Sequence, residues 1–306
     1  MSSPPKVLVI LASYNGAAWL QEQLDSIHAQ ENVETVLLIG DDGSSDGSRM
    51  LLDAAAAGRN IRVVFWERPS GSAGANFRRL YREADLYSVD YVALADQDDV
   101  WHSHKLSNAI TALRENEAQG YSCAVRSFWP DGTGKVLAQC PVTRTGDFLF
   151  EGGGQGCTFV VTAALFRRVK DFCVDQFALC EQFHYHDWLI YLLARTWSMP
   201  WHFDQQPWMA YRQHSGNEIG SRGNLQAISK RLALIKNGWY RKQVTQAIAL
   251  CRRAGGMAVA NELSVLLEAP PGLLRRVRMA HFILSNGRRK FSDRAVLGFS
   301  ALAGWL

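Results

Sequence analysis

The stretch that decides the fold reads YVALADQDDVW and runs from Tyr91 to Trp101. Its first half is a short apolar run typical of a buried strand, and Asp96, Asp98 and Asp99 follow that strand directly. Like charges this close repel one another, so we expect a cation to hold them. Carboxylate oxygens suit a hard divalent ion such as Mg²⁺ or Mn²⁺, which in turn holds a diphosphate. A solvated acidic turn is the alternative interpretation.

Towards the N-terminus, apolar segments alternate with helix-length amphipathic ones. The apolar segments are 6–12, 35–39, 61–66 and 91–95, and the segments between them are 17–30, 48–57 and 75–86. Such alternation predicts βαβ units and a parallel sheet, whose ligands bind at the carboxyl ends of the strands. Polar residues 13–16 follow the first strand and residues 41–43 follow the second. The sequence therefore predicts that three loops converge on one edge of a sheet.

Two other enzyme classes compete for these loops. Residues 43–47 read GSSDG and fit the G-x-S-x-G motif of an α/β-hydrolase with Ser45 as nucleophile, but no oxyanion loop precedes them. A dinucleotide-dependent dehydrogenase needs G-x-G-x-x-G after the first strand, where residues 12–17 read ASYNGA. A nucleotide-binding site requires fewer specific residues than either enzyme class, because a carboxylate at a strand end accepts the N–H of a uracil or thymine ring.

Two later segments carry further candidate groups. Asp187 opens a long apolar helix predicted over residues 186–197, where it caps the helix, acts as a general base towards an acceptor hydroxyl, or does both. His214 is a third candidate metal ligand, and a structural role is its alternative. Arg212 is available to offset the charge of a diphosphate.

Seven segments make the chain resemble family 2 glycosyltransferases of the GT-A fold, most closely a bacterial rhamnosyltransferase-like branch. They occur in the family's order over about residues 6–217: 13–16 (SYNG), 41–46 (DDGSSD), 74–77 (GANF), 96–101 (DQDDVW), 156–159 (GCTF), 186–188 (HDW) and 211–214 (YRQH). The resemblance implies an α/β GT-A domain, a mixed sheet flanked by helices, over residues 1–220. A basic, mostly helical C-terminal region is expected over residues 221–306.

The same resemblance implies a metal-dependent, inverting transfer of a sugar from a nucleoside diphosphate to a hydroxyl of a lipid-linked or cell-surface glycan. L-rhamnose from dTDP-rhamnose is the expected donor, and Mg²⁺ or Mn²⁺ the expected cofactor. Asp187 would be the base. The metal ligands would come from Asp98, Asp96, Asp99 and His214. The nucleotide would contact Ser13, Tyr14, Asn15, Asp41, Asp42, Asn76, Asp96 and Arg212. Many relatives carry Glu-Asp where this chain has His186-Asp187. Another donor, such as a UDP-hexose, and a non-catalytic sugar-binding relative are the alternatives.

Charge is divided unevenly along the chain. Residues 1–220 contain 18 Lys+Arg and 26 Asp+Glu, a balance of −8, whereas residues 221–306 contain 15 and 3, a balance of +12. A basic tail on an acidic body indicates an anionic partner for the tail. Residues 272–290 mix basic and apolar side chains, as helices on anionic membranes do. No nucleic-acid-binding motif accompanies the charge, so a membrane surface is expected rather than nucleic acid. A solvated helical bundle is the alternative.

The remaining composition is that of an ordinary globular protein, with 47% hydrophobic and 20% charged residues. The six cysteines form no C-x-x-C pair, which favours free thiols in a reducing compartment. No apolar leader opens the sequence, and no run of about 18 uncharged apolar residues occurs. We therefore expect a cytoplasmic protein held peripherally on the inner face of the cell membrane.

Overall fold

The first part of the chain alternates strands and helices. The computed structural model describes residues 3–57, 60–214 and 232–306. The first seven elements are β1 (Lys6–Ser13), α1 (Leu20–His28), β2 (Glu34–Asp41), α2 (Ser48–Ala56), β3 (Ile61–Phe65), α3 (Ala73–Glu83) and β4 (Tyr91–Asp96). Strands β1 to β4 pair in parallel, and β1 lies between β2 and β4. The predicted βαβ units are confirmed, although α1 begins at Leu20 rather than at Ala17.

Strand register brings the polar strand ends together. Ser13 pairs with Asp41 across β1 and β2, and Ala12 pairs with Asp96 across β1 and β4. The last residues of these three strands therefore lie side by side. The loops that follow them open onto one edge of the sheet, as the sequence predicts.

The second part of the chain completes a mixed sheet. Its elements are β5 (Val100–Trp101), α4 (Lys105–Glu115), β6 (Gly120–Phe128), β7 (Gly134–Leu137), β8 (Val160–Thr162), α5 (Ala163–Asp175), α6 (Phe177–Glu181), α7 (His186–Thr196) and β9 (Trp201–Arg212). The strand order is β3-β2-β1-β4-β8-β6-β9-β5, and β7 pairs with β6. Strand β9 runs antiparallel to β5, with Ala210 opposite Val100. This pairing carries the end of β9 to the acidic residues that follow β4.

Helices form the C-terminal region. They are α8 (Trp239–Arg253), α9 (Ala258–Glu268), α10 (Leu273–Asn286) and α11 (Phe291–Leu302). Phe282 of α10 and the terminal Leu306 belong to the same apolar core cluster as Leu8 of β1 and Trp188 of α7. The predicted helical tail is confirmed for residues 232–306, whereas the boundary near residue 220 lies outside the described residues. None of the described helices is long and apolar enough to cross a bilayer.

A largely buried cluster of charged side chains and one tyrosine, the tail junction, joins this tail to the rest of the protein. It consists of Asp147, Glu151, Tyr191, Arg195 and Arg289. Arg289 Nη1 lies 3.5 Å from Asp147 Oδ2 and 3.6 Å from Glu151 Oε1. Arg195 donates to Asp147 Oδ1 at 2.7 Å, and the Tyr191 hydroxyl donates to Asp147 Oδ2 at 2.8 Å. The carboxylates of this buried set are thus matched by cations.

Candidate active site

The three acidic residues after β4, here called the acid corner, comprise Asp96, Asp98 and Asp99. Asp98 Oδ2 lies 2.6 Å from His214 Nε2. The His214 ring stacks on Trp19, with ring centroids 4.3 Å apart. The structure therefore brings His214 next to the acid corner and packs its ring against Trp19, while its role as a metal ligand stays a prediction.

Arg212 ties the end of β9 to the acid corner. Its Nε donates to the Asp98 carbonyl at 2.9 Å, and its backbone N–H donates to Asp99 Oδ1 at 3.3 Å. The guanidinium lies over the Phe128 ring and pairs with Glu22 at 2.5 Å. Glu22 is 58% exposed, so this pair sits at the solvent edge. The arginine thus brings a positive charge beside the acids.

Asp99 is the most enclosed member of the acid corner. Burial raises its pKa well above the usual value, and the charges of Asp98 and Asp96 raise it further. Its Oδ2 has no hydrogen-bond partner among the described residues. The Cys157 sulfur joins Asp96 and Asp99 in a cluster whose ligand atoms all lie within 4.8 Å of one another. Neighbouring carboxylates thus raise the pKa of Asp99, and a group of acidic ligands is what a divalent cation favours.

The loops after β1 and β2 are tied to each other. Asn15 has a φ of 49°, in the left-handed region that asparagine tolerates better than most residues. Its side-chain oxygen accepts from the Ser45 N–H at 2.8 Å, and its own N–H donates to Ser44 Oγ at 2.8 Å. The Ser44 N–H donates in turn to the buried Asp41 carboxylate at 3.1 Å. Three predicted nucleotide contacts, Ser13, Asn15 and Asp41, therefore lie together at one corner of the sheet.

Gln97 links this corner to the acid corner. The Tyr14 N–H donates to Gln97 Oε1 at 2.7 Å, and Gln97 Nε2 donates to the Tyr14 carbonyl at 2.9 Å. A Cβ at Gly16 would collide with the Gln97 side chain, so glycine leaves room for this bridge. The Tyr14 side chain is 52% exposed and available to a ligand. The sequence patterns did not single out Gln97.

Asp42 and Asn76 make buried structural contacts. Asp42 accepts from the Ser70 N–H at 2.9 Å and from Ser70 Oγ at 2.7 Å. Asn76 donates to the Gly40 carbonyl at 2.9 Å and accepts from Trp66 Nε1 at 2.9 Å. As ligand contacts both residues stay predictions. In the structure they brace the strand ends that carry the other candidates.

Asp187 lies in the first turn of α7, where it accepts from the Trp188 N–H at 2.7 Å. The preceding His186 stacks on Phe77, with ring centroids 3.9 Å apart. Burial, reinforced by the charge of Arg78, lowers the pKa of His186 to about 3. The imidazole is therefore neutral at neutral pH.

The loop at Gly156 and Cys157 connects Asp187 with the acid corner. A Cβ at Gly156 would lie 3.0 Å from the Asp187 Cβ, so glycine permits this close packing. Cys157, the next residue, has its sulfur in the cluster with Asp96 and Asp99. Asp187 and the acidic cluster thus flank two consecutive residues of one loop.

Arg78 holds the segment that leads into Asp187. It is 5% exposed, and its Nη1 donates to the carbonyls of Phe183 at 2.8 Å and His184 at 3.2 Å. Its Nε lies 3.5 Å from Glu181 Oε1. Sequence reasoning missed this residue, although it lies one position beyond the GANF segment that contributed to the resemblance.

Ser45, the hydrolase candidate, is exposed, and its hydroxyl lies 3.5 Å from the side-chain oxygen of Asn15. An amide oxygen is not a base that activates a serine nucleophile. The geometry therefore gives the α/β-hydrolase interpretation no support.

Comparisons with known proteins agree on one family. The family model described as Glycosyl transferase family 2 matches residues 8–174. The dTDP-rhamnosyl transferase RfbG of Shigella flexneri is 36% identical over 238 residues, which are 77% of this chain and 82% of that protein. The putative teichuronic acid biosynthesis glycosyltransferase TuaG of Bacillus subtilis is 32% identical over 134 residues, 42% of this chain and 50% of that protein. The structure of S. aureus TarS 1-349 in complex with UDP-GlcNAc superposes with a TM-score of 0.55 at 14% identity, covering 98% of this chain and 91% of that one, which shows the GT-A fold.

Proposed function

The chain belongs to glycosyltransferase family 2, and we propose that it transfers L-rhamnose from dTDP-rhamnose to an acceptor hydroxyl, with inversion at the sugar carbon. The rhamnosyl transferase relative supports this donor, because the similarity extends over 82% of that protein. The acceptor that we propose is a lipid-linked or cell-surface glycan, reached from the inner face of the membrane. The observation that carries the proposal is the packing of the acid corner and Asp187 against one loop, Gly156 and Cys157.

A divalent cation, Mg²⁺ or Mn²⁺, fits the acid corner. Asp98 and His214 would hold it, with Asp96 and Asp99 beside them. The donor set favours this assignment, because carboxylate and imidazole are ligands that such ions accept. Asp99 Oδ2, which has no hydrogen-bond partner in the described parts of the chain, is a further support. When bound, the cation would neutralise charge on the departing diphosphate.

Arg212 adds a protein cation to the same task. Its guanidinium is fixed by the Asp98 carbonyl and by the Phe128 ring, so its position does not depend on a ligand. Glu22 occupies its outer nitrogen at the solvent edge. An arriving diphosphate competes with Glu22 for this nitrogen and leaves the inner contacts in place.

Asp187 is assigned as the general base. The acceptor oxygen forms a bond to the anomeric carbon while the bond from that carbon to the diphosphate oxygen breaks. The electron pair of the broken bond leaves with dTDP, and the acceptor proton passes to the Asp187 carboxylate. His186 is neutral and enclosed, so it does not compete for this proton at neutral pH.

A donor screen with the full chain tests the proposal. Nucleoside diphosphate release is measured with dTDP-rhamnose, UDP-glucose, UDP-galactose and UDP-GlcNAc, in Mn²⁺ and in EDTA. We expect release from dTDP-rhamnose in Mn²⁺, and a loss of at least about 100-fold in Asp98→Ala and in Asp187→Ala. Asp131→Ala, at an exposed turn, is the matched control and should keep wild-type turnover.

Each outcome decides a separate part of the proposal. Release from a UDP-hexose alone would replace the donor and leave the site intact. Wild-type turnover in Asp98→Ala and Asp187→Ala would refute the site. Full activity in EDTA would remove the cation from the mechanism. No release from any sugar nucleotide, with the fold intact, would favour a non-catalytic sugar-binding relative.

A further inference from the structure

The outward sides of α10 and α11 carry exposed apolar side chains. They are Leu274 (64% exposed), Val277 (47%) and Leu284 (43%) on α10, and Val296 (44%), Phe299 (65%) and Leu302 (46%) on α11. Their spacing of three residues or seven places each set along one stripe of its helix. Polar residues normally occupy such a solvent-facing stripe, so the pattern is that of a contact surface.

The two helices that carry these stripes pack against each other. A Cβ at Gly298 of α11 would lie 3.4 Å from the Leu284 side chain of α10, which places the helices in direct contact. We call this surface the outer tail face: the six apolar residues above together with Arg276 and Arg278, which are exposed on the same helix as Leu274.

The outer tail face is positively charged. Between Glu268 and Asp293 the chain has no carboxylate side chain. Burial, together with the nearby guanidinium groups of Arg241 and Arg276, lowers the pKa of Arg275, so cations crowd one another here. Arg276 and Arg278 are exposed, and neither forms an ion pair with a carboxylate in the part of the chain that the structure describes.

Charge therefore selects among partners for this apolar surface. A second copy of the chain would bring the same arginines and repel them, whereas anionic phospholipid supplies both an apolar layer and negative headgroups. We propose that the outer tail face docks on an anionic phospholipid surface, with Val296 and Phe299 among the acyl chains and Arg276 and Arg278 on the phosphates. The docking deepens the proposed function, since it would hold the enzyme beside a lipid-linked acceptor.

Cosedimentation with vesicles tests the docking without requiring catalysis. The full chain is mixed with neutral phosphatidylcholine vesicles or with vesicles that contain phosphatidylglycerol. We expect binding to the anionic vesicles, weakened by salt. Each basic residue at such a surface strengthens binding about five-fold, so Arg276→Glu/Arg278→Glu should weaken it at least about 30-fold. Arg114→Glu/Lys135→Glu is the charge-matched control elsewhere on the surface and should bind as wild type.

The apolar part is tested separately. Val296→Ser/Phe299→Ser should weaken vesicle binding at least about ten-fold, because two inserted side chains are lost. Met50→Ser/Tyr87→Ser, at side chains that are 73% and 87% exposed, is the matched control and should retain binding.

Three results would overturn the proposal. The first is equal binding to neutral and anionic vesicles. The second is wild-type binding by both tail variants. The third is a dimer in light scattering that Val296→Ser/Phe299→Ser converts to a monomer, since the face would then join two copies. Failure of the glycosyltransferase assignment would appear only in the donor screen, so the two failures are distinguishable.

Discussion

The acid corner and the tail junction both bring acidic side chains together, but in the described part of the chain their charges are arranged differently. At the acid corner, burial and neighbouring carboxylates both raise the pKa of Asp99. At the tail junction, burial opposes the charge of Arg289, but Glu151 and Asp147 outweigh it, and the pKa of Arg289 is raised. Carboxylates thus dominate the surroundings of Asp99, whereas Asp147 and Glu151 lie beside the guanidinium groups of Arg195 and Arg289.

This difference in charge arrangement predicts different effects of charge removal on protein stability. Breaking one side of a buried ion pair leaves an uncompensated charge, which costs more than the pair contributes. Neutralising one of several crowded like charges instead relieves repulsion. The same kind of substitution should therefore have opposite effects on unfolding at the two places.

Removing Arg289, one of the two cations of the tail junction, should give the largest effect. Arg289→Met leaves Asp147 and Glu151 with less compensation, and we expect the free energy of unfolding to fall by about 3–5 kcal/mol. Urea denaturation measures it. Arg278→Met, at an exposed arginine of the neighbouring helix, should stay within about 0.5 kcal/mol of wild type. Equal stability of the two variants would show that the junction does not hold the tail.

A matched pair of aspartate changes compares the two places directly. Asp147→Asn should lower the free energy of unfolding by about 2–3 kcal/mol, because Arg195 and Arg289 lose a buried counter-charge. Asp99→Asn should leave it unchanged or raise it by about 1 kcal/mol, while turnover with the preferred donor falls at least about 100-fold. Urea denaturation and donor turnover are measured on both variants. A destabilised Asp99→Asn would contradict the assignment of surplus charge to the acid corner.

His186 differs from both charge clusters because its imidazole stays neutral in the folded protein. The pKa of His186 is about 3 in the folded protein, below the ordinary value of 6.5. Between these pH values the His186 imidazole is protonated in the unfolded chain and neutral in the folded protein. The resulting stability is present above pH 6.5 and is lost as the pH falls. Relative to His186→Gln, wild type should lose about 2 kcal/mol between pH 7 and pH 5, measured by urea denaturation at each pH. If the free energy of unfolding of the two proteins changed in parallel with pH, the lowered pKa of His186 would be contradicted.

Local sequence determined the first half of the fold and the identity of the acid corner. Strands β1 and β4 are recognisable as apolar runs because the sheet buries both of their faces, whereas the edge strand β3 is only partly buried. Local sequence does not identify the roles of Trp19, Glu22 and Gln97, because only the order of the strands brings these residues to their partners. The sequence-based prediction for Arg289 was wrong for a different reason. The sequence counts it as tail charge for an anionic partner, whereas the fold places it inside, against Asp147.

The partly exposed ion pair between Arg288 and Asp293 should have the smallest effect on the free energy of unfolding, and it serves as a comparison for the buried tail junction. Arg288 Nη1 lies 3.6 Å from Asp293 Oδ2, with side chains 24% and 25% exposed, close to the buried Arg289. Water and salt screen a partly exposed pair, so Asp293→Asn should lower the free energy of unfolding by only about 0.5 kcal/mol, and by less in high salt. Urea denaturation at low and high salt measures both values. If Asp293→Asn instead matched Arg289→Met, charge at the surface of the tail, and not burial of the inner pair, would be what holds the helices in place.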